Sequence, residues 1–147
     1  MSEKVILLVE DNANDEALTL RSLKKANIMN KVLVARDGAE ALDYIFARGT
    51  HSARDAMDLP EIVLLDLNLP KIGGLDVLRR IRTDEATKWL PVIILTSSKE
   101  ERDLAAGYEN GANSYVVKPV DFTQFSEAVR MLGLYWLLVN QRAPRRA

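Results

Sequence analysis

The stretch Ile62-Val63-Leu64-Leu65-Asp66-Leu67-Asn68-Leu69-Pro70 sets four consecutive apolar residues directly before one carboxylate, and a turn marked by Pro70, Gly73 and Gly74 follows. A short run that is apolar at every position and bounded by turn formers predicts a strand covered on both faces, as in a parallel sheet. Asp66 then falls at the strand's carboxyl end, where open α/β sheets bind their ligands. A lone aspartate at such a place reads equally well as a helix cap or turn former. Its meaning depends on what the other strands bring to the same edge.

Four further apolar runs flank this one. Residues 5–9 form an apolar strand that ends in Glu10-Asp11-Asn12, and Asn14 or Asp15 is placed to cap a helix carrying Leu18, Leu20, Leu23 and Ala26 at roughly helical spacing. Residues 31–35, more polar at their ends, predict an edge strand, and Asp37-Gly38 turns into a helix with Ala41, Leu42, Ile45 and Phe46 on one face. After the central strand, residues 75–81 predict a third helix, residues 91–95 a strand running into Thr96, and residues 99–110 a charged, weakly packed helix. Residues 114–117 form the fifth strand, closed by Lys118-Pro119, and a last helix begins at Asp121 with Phe122, Phe125, Val129 and Leu132 inward. Five strands alternating with five helices imply a parallel sheet with helices on both faces and right-handed crossovers.

The bulk composition narrows the function. The 147 residues suit one domain, expected to span 1–147 with a core at 4–132 and a helix extension and basic tail at 133–147. A net charge of -1 argues against a strongly electrostatic nucleic-acid binder, and the absence of cysteine excludes disulfides, thiolate metal sites and cysteine catalysis. The longest unbroken apolar run is too short to cross a bilayer, and the N-terminus carries no signal peptide pattern, so a cytoplasmic protein is expected. Residues 47–59 lack helical or strand periodicity and read as a long loop. His51, the one histidine, lies in that loop without partners for a metal or catalytic role and is expected at the surface.

Side by side, the strand ends deliver Glu10 and Asp11, Asp66, Thr96 and Lys118 to one edge. Carboxylates so close repel unless a cation sits among them. Magnesium suits the set, since it takes one or two carboxylates, keeps waters and leaves positions for phosphate oxygens. An aspartate is a competent nucleophile for phosphoryl transfer, a reaction that needs positioning and charge neutralisation above all.

At this point the residues resemble a family. Val9-Glu10-Asp11-Asn12, Leu65-Asp66-Leu67-Asn68-Leu69-Pro70, Thr96-Ser97 and Lys118-Pro119 are similar to the motifs of response-regulator receiver domains. The resemblance implies a flavodoxin-like (βα)5 three-layer fold with strand order 2-1-3-4-5. It implies that Asp66 accepts a phosphoryl group from a histidine kinase and that Asp11 holds Mg²⁺ with Glu10, Asp66 and the Asn68 backbone carbonyl. By the same resemblance the Thr96 hydroxyl binds phosphoryl oxygens, Lys118 forms the ion pair, Lys118-Pro119 is a cis peptide, and Thr96 with Tyr115 forms the switch. Such a protein is a phosphoacceptor with self-catalysed chemistry and not an enzyme in the usual sense. A haloacid-dehalogenase-type phosphatase would carry an aspartate where Asn68 stands, and a nucleotide-binding relative would not set Glu10-Asp11 against a phosphate.

Two features lie beyond the generic receiver: the 47–59 loop and the run Leu134-Tyr135-Trp136-Leu137-Leu138-Val139, too apolar all round to face one core on a helix. Both are similar to stand-alone regulators that serve phytochrome-type histidine kinases and form homodimers through the last helix and strand. Arg142, Arg145 and Arg146 read as a solvated basic tail. With no output domain expected, output is expected through protein contacts, with a scaffold or phosphorelay shuttle as the alternative.

Overall fold

A computed structural model describes residues 5–97 and 100–118, with Thr123, Glu127, Arg130 and Met131 beyond them. The elements run β1 (Val5–Val9), α1 (Ala13–Lys25), β2 (Lys31–Ala35), α2 (Gly38–Ile45), β3 (Ile62–Leu65), α3 (Gly74–Thr83), β4 (Val92–Thr96), α4 (Glu101–Glu109) and β5 (Ser114–Val117). The five strands form one sheet in the order β2-β1-β3-β4-β5, every pairing parallel. This is the expected flavodoxin-like order, with β2 at an edge.

Successive side chains on a strand point to opposite faces, so the apolar runs feed two cores at once. Leu7, Val9, Val63, Leu65, Val92 and Ile94 pack with Ala41, Leu42 and Ile45 of α2 and Val77, Leu78 and Ile81 of α3. Ile6, Leu8, Ile62, Leu64, Ile93 and Leu95 pack on the other face with Leu23, flanked by Leu18 and Leu20 of α1. This is why no polar residue interrupts β1 or β3.

Local chemistry moves some expected boundaries. Asn12 caps α1, its Oδ1 accepting from the Asn14 and Asp15 N–H groups at 2.9 and 3.0 Å, so neither Asn14 nor Asp15 is the cap. Asp11, Asn12, Asn14 and Asp15 are all cap formers by residue type, and the strand end decides among them by setting where the helix starts. β4 begins one residue later than expected because Pro91 has no N–H for the ladder. The charged helix begins at Glu101 and buries only Gly107, with Leu104 and Tyr108 exposed, in keeping with weak packing.

The 47–59 loop contains more structure than its sequence implies. Gly49–His51 form one 3-10 turn, and Arg54 ties the loop to the carboxyl end of α2. Its guanidinium donates to the carbonyls of Tyr44, Ile45, Asp55 and Asp58 and stacks 4.3 Å above the Tyr44 ring. His51 is half-buried and not at the open surface, its ring edge-on to Tyr44 at 5.2 Å. At the opposite end of α3, Arg82 donates to the carbonyls of Gly111 at 2.8 Å and Leu90 at 2.6 Å and to Asn113 Oδ1 at 2.8 Å. The last helix, the Lys118-Pro119 bond and the apolar run 134–139 lie outside the described residues.

Two glycines bring the loop after β3 against the helices. A Cβ on Gly38 would stand 2.0 Å from the Ile72 carbonyl oxygen, and one on Gly74 would stand 2.2 Å from the Asp66 carbonyl oxygen. Backbone cannot yield as a side-chain tip can, so Gly74→Ala should cost about 1–3 kcal/mol in urea unfolding. Gly73→Ser, at a cap position with open space around it, should stay within about 0.5 kcal/mol.

Candidate functional site

The carboxyl ends of β1, β3, β4 and the edge strand β5 meet at one rim of the sheet. Glu10 follows β1 and is 1% exposed, Asp66 follows β3 at 7%, and Lys118 follows β5 at 9%. β5 holds Lys118 in place through the parallel ladder: Val117 lies opposite Thr96, and the Lys118 N–H donates to the Thr96 carbonyl at 2.8 Å. The Lys118 ammonium reaches across β4 and β3. It donates to Asp66 Oδ2 at 3.2 Å, to Asp15 Oδ2 at 3.0 Å and, in its shortest contact, to Glu10 Oε1.

Glu10, Asp11 and Asp66 each offer a carboxylate oxygen within 4.8 Å of the others. Asp11 is exposed while Glu10 and Asp66 are buried, so the cluster opens to solvent on one side. Hard oxygen donors alone make up this set, the chemistry that Mg²⁺, Mn²⁺ and Ca²⁺ share. Among the candidate residues, Thr96 is fully buried at the end of β4. Asn68 is exposed, and its N–H donates to Asp66 Oδ1 at 3.3 Å. Tyr115 is half-buried on β5 opposite Ile94, and a Cβ on Gly107 of α4 would lie 3.1 Å from its ring. It therefore stands between the rim and α4 and is not a member of the acidic cluster.

Asp15 is the site residue that sequence reasoning misses, since by sequence it reads as a possible cap. One signal for it existed: it lies in the first turn after the β1 carboxyl end, on the helix that starts at the ligand edge.

Burial leaves its mark on the charges. Desolvation, with neighbouring Asp66 adding to it and Lys118 opposing, pushes the Glu10 carboxyl up to about 7. Burial alone would pull Lys118 down, but its contacts with Glu10, Asp66 and Asp15 outweigh it and hold the ammonium above the usual lysine value. Lysine is thus charged throughout the range in which Glu10 takes up a proton.

This rim can hold a divalent cation beside a nucleophilic carboxylate and set a fixed ammonium against incoming anionic oxygens. The sequence pattern of the response regulator receiver domain family matches residues 6–130. The chain belongs to that family.

The receiver domain is similar to response regulator Rcp1 of Synechocystis sp., at 36% identity over 134 residues, or 91% of this chain and 89% of Rcp1. The Mn²⁺-bound form of Rcp1 matches the structure with a TM-score of 0.86 over 96% of this chain and 99% of that one, at 34% identity in this alignment. The phosphorylated cyanobacterial phytochrome response regulator RcpA matches with a TM-score of 0.88, at 33% identity over 97% and 100% of the two chains. The bacteriophytochrome response regulator AtBRR is 48% identical over 96% and 100%, with a TM-score of 0.77. The receiver domain is accordingly a phosphoryl-accepting module of two-component signalling, and its acidic cluster suits the divalent metal that receivers bind. Among the described residues no helix is long and apolar enough to cross a membrane.

A raised carboxyl pKa means that folding favours the protonated acid. In metal-free protein the Glu10 contribution to stability is therefore fully present below 4.5 and is lost as pH rises through about 7. Thermal unfolding in chelator should show wild type losing stability relative to Glu10→Gln across that window. Saturating divalent metal should remove the difference in slope, because a bound cation favours the ionised form.

Proposed function

We propose that Asp66 accepts a phosphoryl group from the phosphohistidine of a sensor histidine kinase, and that phosphorylation is read out through altered protein contacts. The observation that carries this reading is the Lys118 ammonium held by Glu10 and Asp66 beside the acidic cluster. An Asp66 carboxylate oxygen forms the new bond to phosphorus while the bond between phosphorus and the imidazole nitrogen breaks, and the imidazole leaves with the electron pair. Mg²⁺, held by Glu10, Asp11, Asp66 and the Asn68 backbone carbonyl, would neutralise charge on the phosphoryl oxygens. Lys118 donates to a phosphoryl oxygen, and Thr96 reaches the group through its hydroxyl. Asn68, where a phosphatase would need an acid, fits a phosphoacceptor and not an enzyme that turns over a separate substrate.

Movement of Thr96 frees space for Tyr115, and α4 is the element placed to respond, since Gly107 packs on Tyr115 and little else of α4 is buried. The names of RcpA and AtBRR support a phytochrome-type kinase as the donor. The full coverage of RcpA and AtBRR supports reading residues 1–147 as a single receiver domain with core 4–132, and the charge balance of the sequence favours a cytoplasmic protein that signals through protein contacts. The apolar run 134–139 supports a homodimer through the last helix and β5.

Intact mass after incubation with acetyl phosphate and Mg²⁺ tests the chemistry. One added phosphoryl group is expected on wild type and none on Asp66→Asn; failure of wild type to gain mass at any Mg²⁺ concentration would leave a receiver-shaped scaffold. Native mass on the same samples should give twice the chain mass, and Trp136→Glu should reduce it to that of the monomer.

A further inference from the structure

We infer that Asp15 is a positioning residue for phosphoryl transfer, holding the Lys118 ammonium toward α1 and restraining it from the phosphoryl group. The inference rests on Asp66 being the phosphoacceptor.

An ammonium has three N–H donors. In this structure each has a carboxylate: Glu10, Asp15 and Asp66. The three acceptors are not equivalent. Glu10 is buried and bound to Lys118 by the shortest contact, whereas the side chain of Asp15 is 36% exposed and comes from a helix rather than a strand end. Asp66 makes the longest of the three contacts, at 3.2 Å. Asp66 loses its carboxylate charge when the bond to phosphorus forms, so the N–H it held is the one released to a phosphoryl oxygen.

The Asp15 contact persists through that change. It keeps a second N–H occupied and places a negative charge beside the ammonium that faces the new dianion. Nothing else in the first turn of α1 does this. Glu16, the adjacent carboxylate, pairs with Arg36 at 3.1 Å and has no contact with Lys118. Asn12 caps α1 without help from the Asp15 side chain. The carboxylate of Asp15 is therefore free of a capping duty, and its side-chain partner is Lys118.

Removing the charge should make Lys118 more available to the phosphoryl oxygens. A charge-assisted hydrogen bond at a half-exposed position corresponds to about a three- to tenfold effect. Asp15→Asn should tighten beryllofluoride binding in Mg²⁺ by that factor and lengthen the lifetime of the phosphorylated form in the same direction. Asp15→Glu, which restores the charge, should return both toward wild type, and Glu16→Gln, which removes the neighbouring charge on the same helix turn, should leave both unchanged. Asp15→Asn placed on Lys118→Met should have no effect on beryllofluoride affinity, because its action runs through the ammonium.

Unfolding midpoints measured alongside distinguish loss of α1 stability from loss of the restraint. Equal affinity and lifetime in wild type and Asp15→Asn would overturn the inference, as would an equal shift in Glu16→Gln, which would mean a general field effect. Absence of phosphorylation in wild type would instead defeat the assignment of Asp66, a separate outcome.

Discussion

The Lys118 ammonium is the interaction on which the rest of the rim depends. It is buried, and it draws together carboxylates from the end of β1, the first turn of α1 and the end of β3. Three carboxylates at that spacing, two of them buried, would repel one another and pay a heavy desolvation cost if left alone. The lysine offsets part of this, and the elevated pKa of Glu10 shows that the offset is incomplete. A site in this condition is primed for a second cation, and the oxygen-only donor set defines which kind.

Holding such a cluster demands a rigid support, and the sheet supplies it. β1 and β3 are hydrogen-bonded neighbours buried on both faces, so Glu10 and Asp66 emerge from fixed backbone. Gly74 lets α3 begin directly against the Asp66 carbonyl, which leaves the loop after β3 little room to shift. The opposite side is built differently. α4 contributes one buried residue, a glycine, and it rests on Tyr115 of a half-buried edge strand. Its carboxyl end is secured by Arg82, which grips Gly111 and Asn113 just beyond it. Firm seating around the acceptor and light seating of α4 is the distribution of stability that a charge-driven switch requires.

Charge and positioning divide the labour between strands and helices. Strand ends deliver the groups that react or bind, while the first turn of α1 delivers Asp15, whose carboxylate meets the Lys118 ammonium. The 47–59 loop has no side chain in the cluster, and it is organised by a different cation. Arg54 satisfies carbonyls at the end of α2, where an isolated helix would leave them unpaired, and covers the Tyr44 ring. The length of the loop therefore reflects a second anchored structure away from the phosphoryl rim.

The sequence by itself determined the alternation of strands and helices, the burial of β1 and β3 on both faces, and the set Glu10, Asp11, Asp66, Thr96 and Lys118 at one edge. These were legible because apolar runs and strand-end residues are local signals, and the order of the strands followed from resemblance. Tertiary structure alone decided that Asn12 rather than its neighbours caps α1, that Asp15 thereby becomes a partner of Lys118 across 103 residues of chain, and that Arg54 and His51 pack on Tyr44. The physical reason is the same in each case. Several side chains of equal local propensity competed for one role, and only the distances set by the folded sheet chose between them.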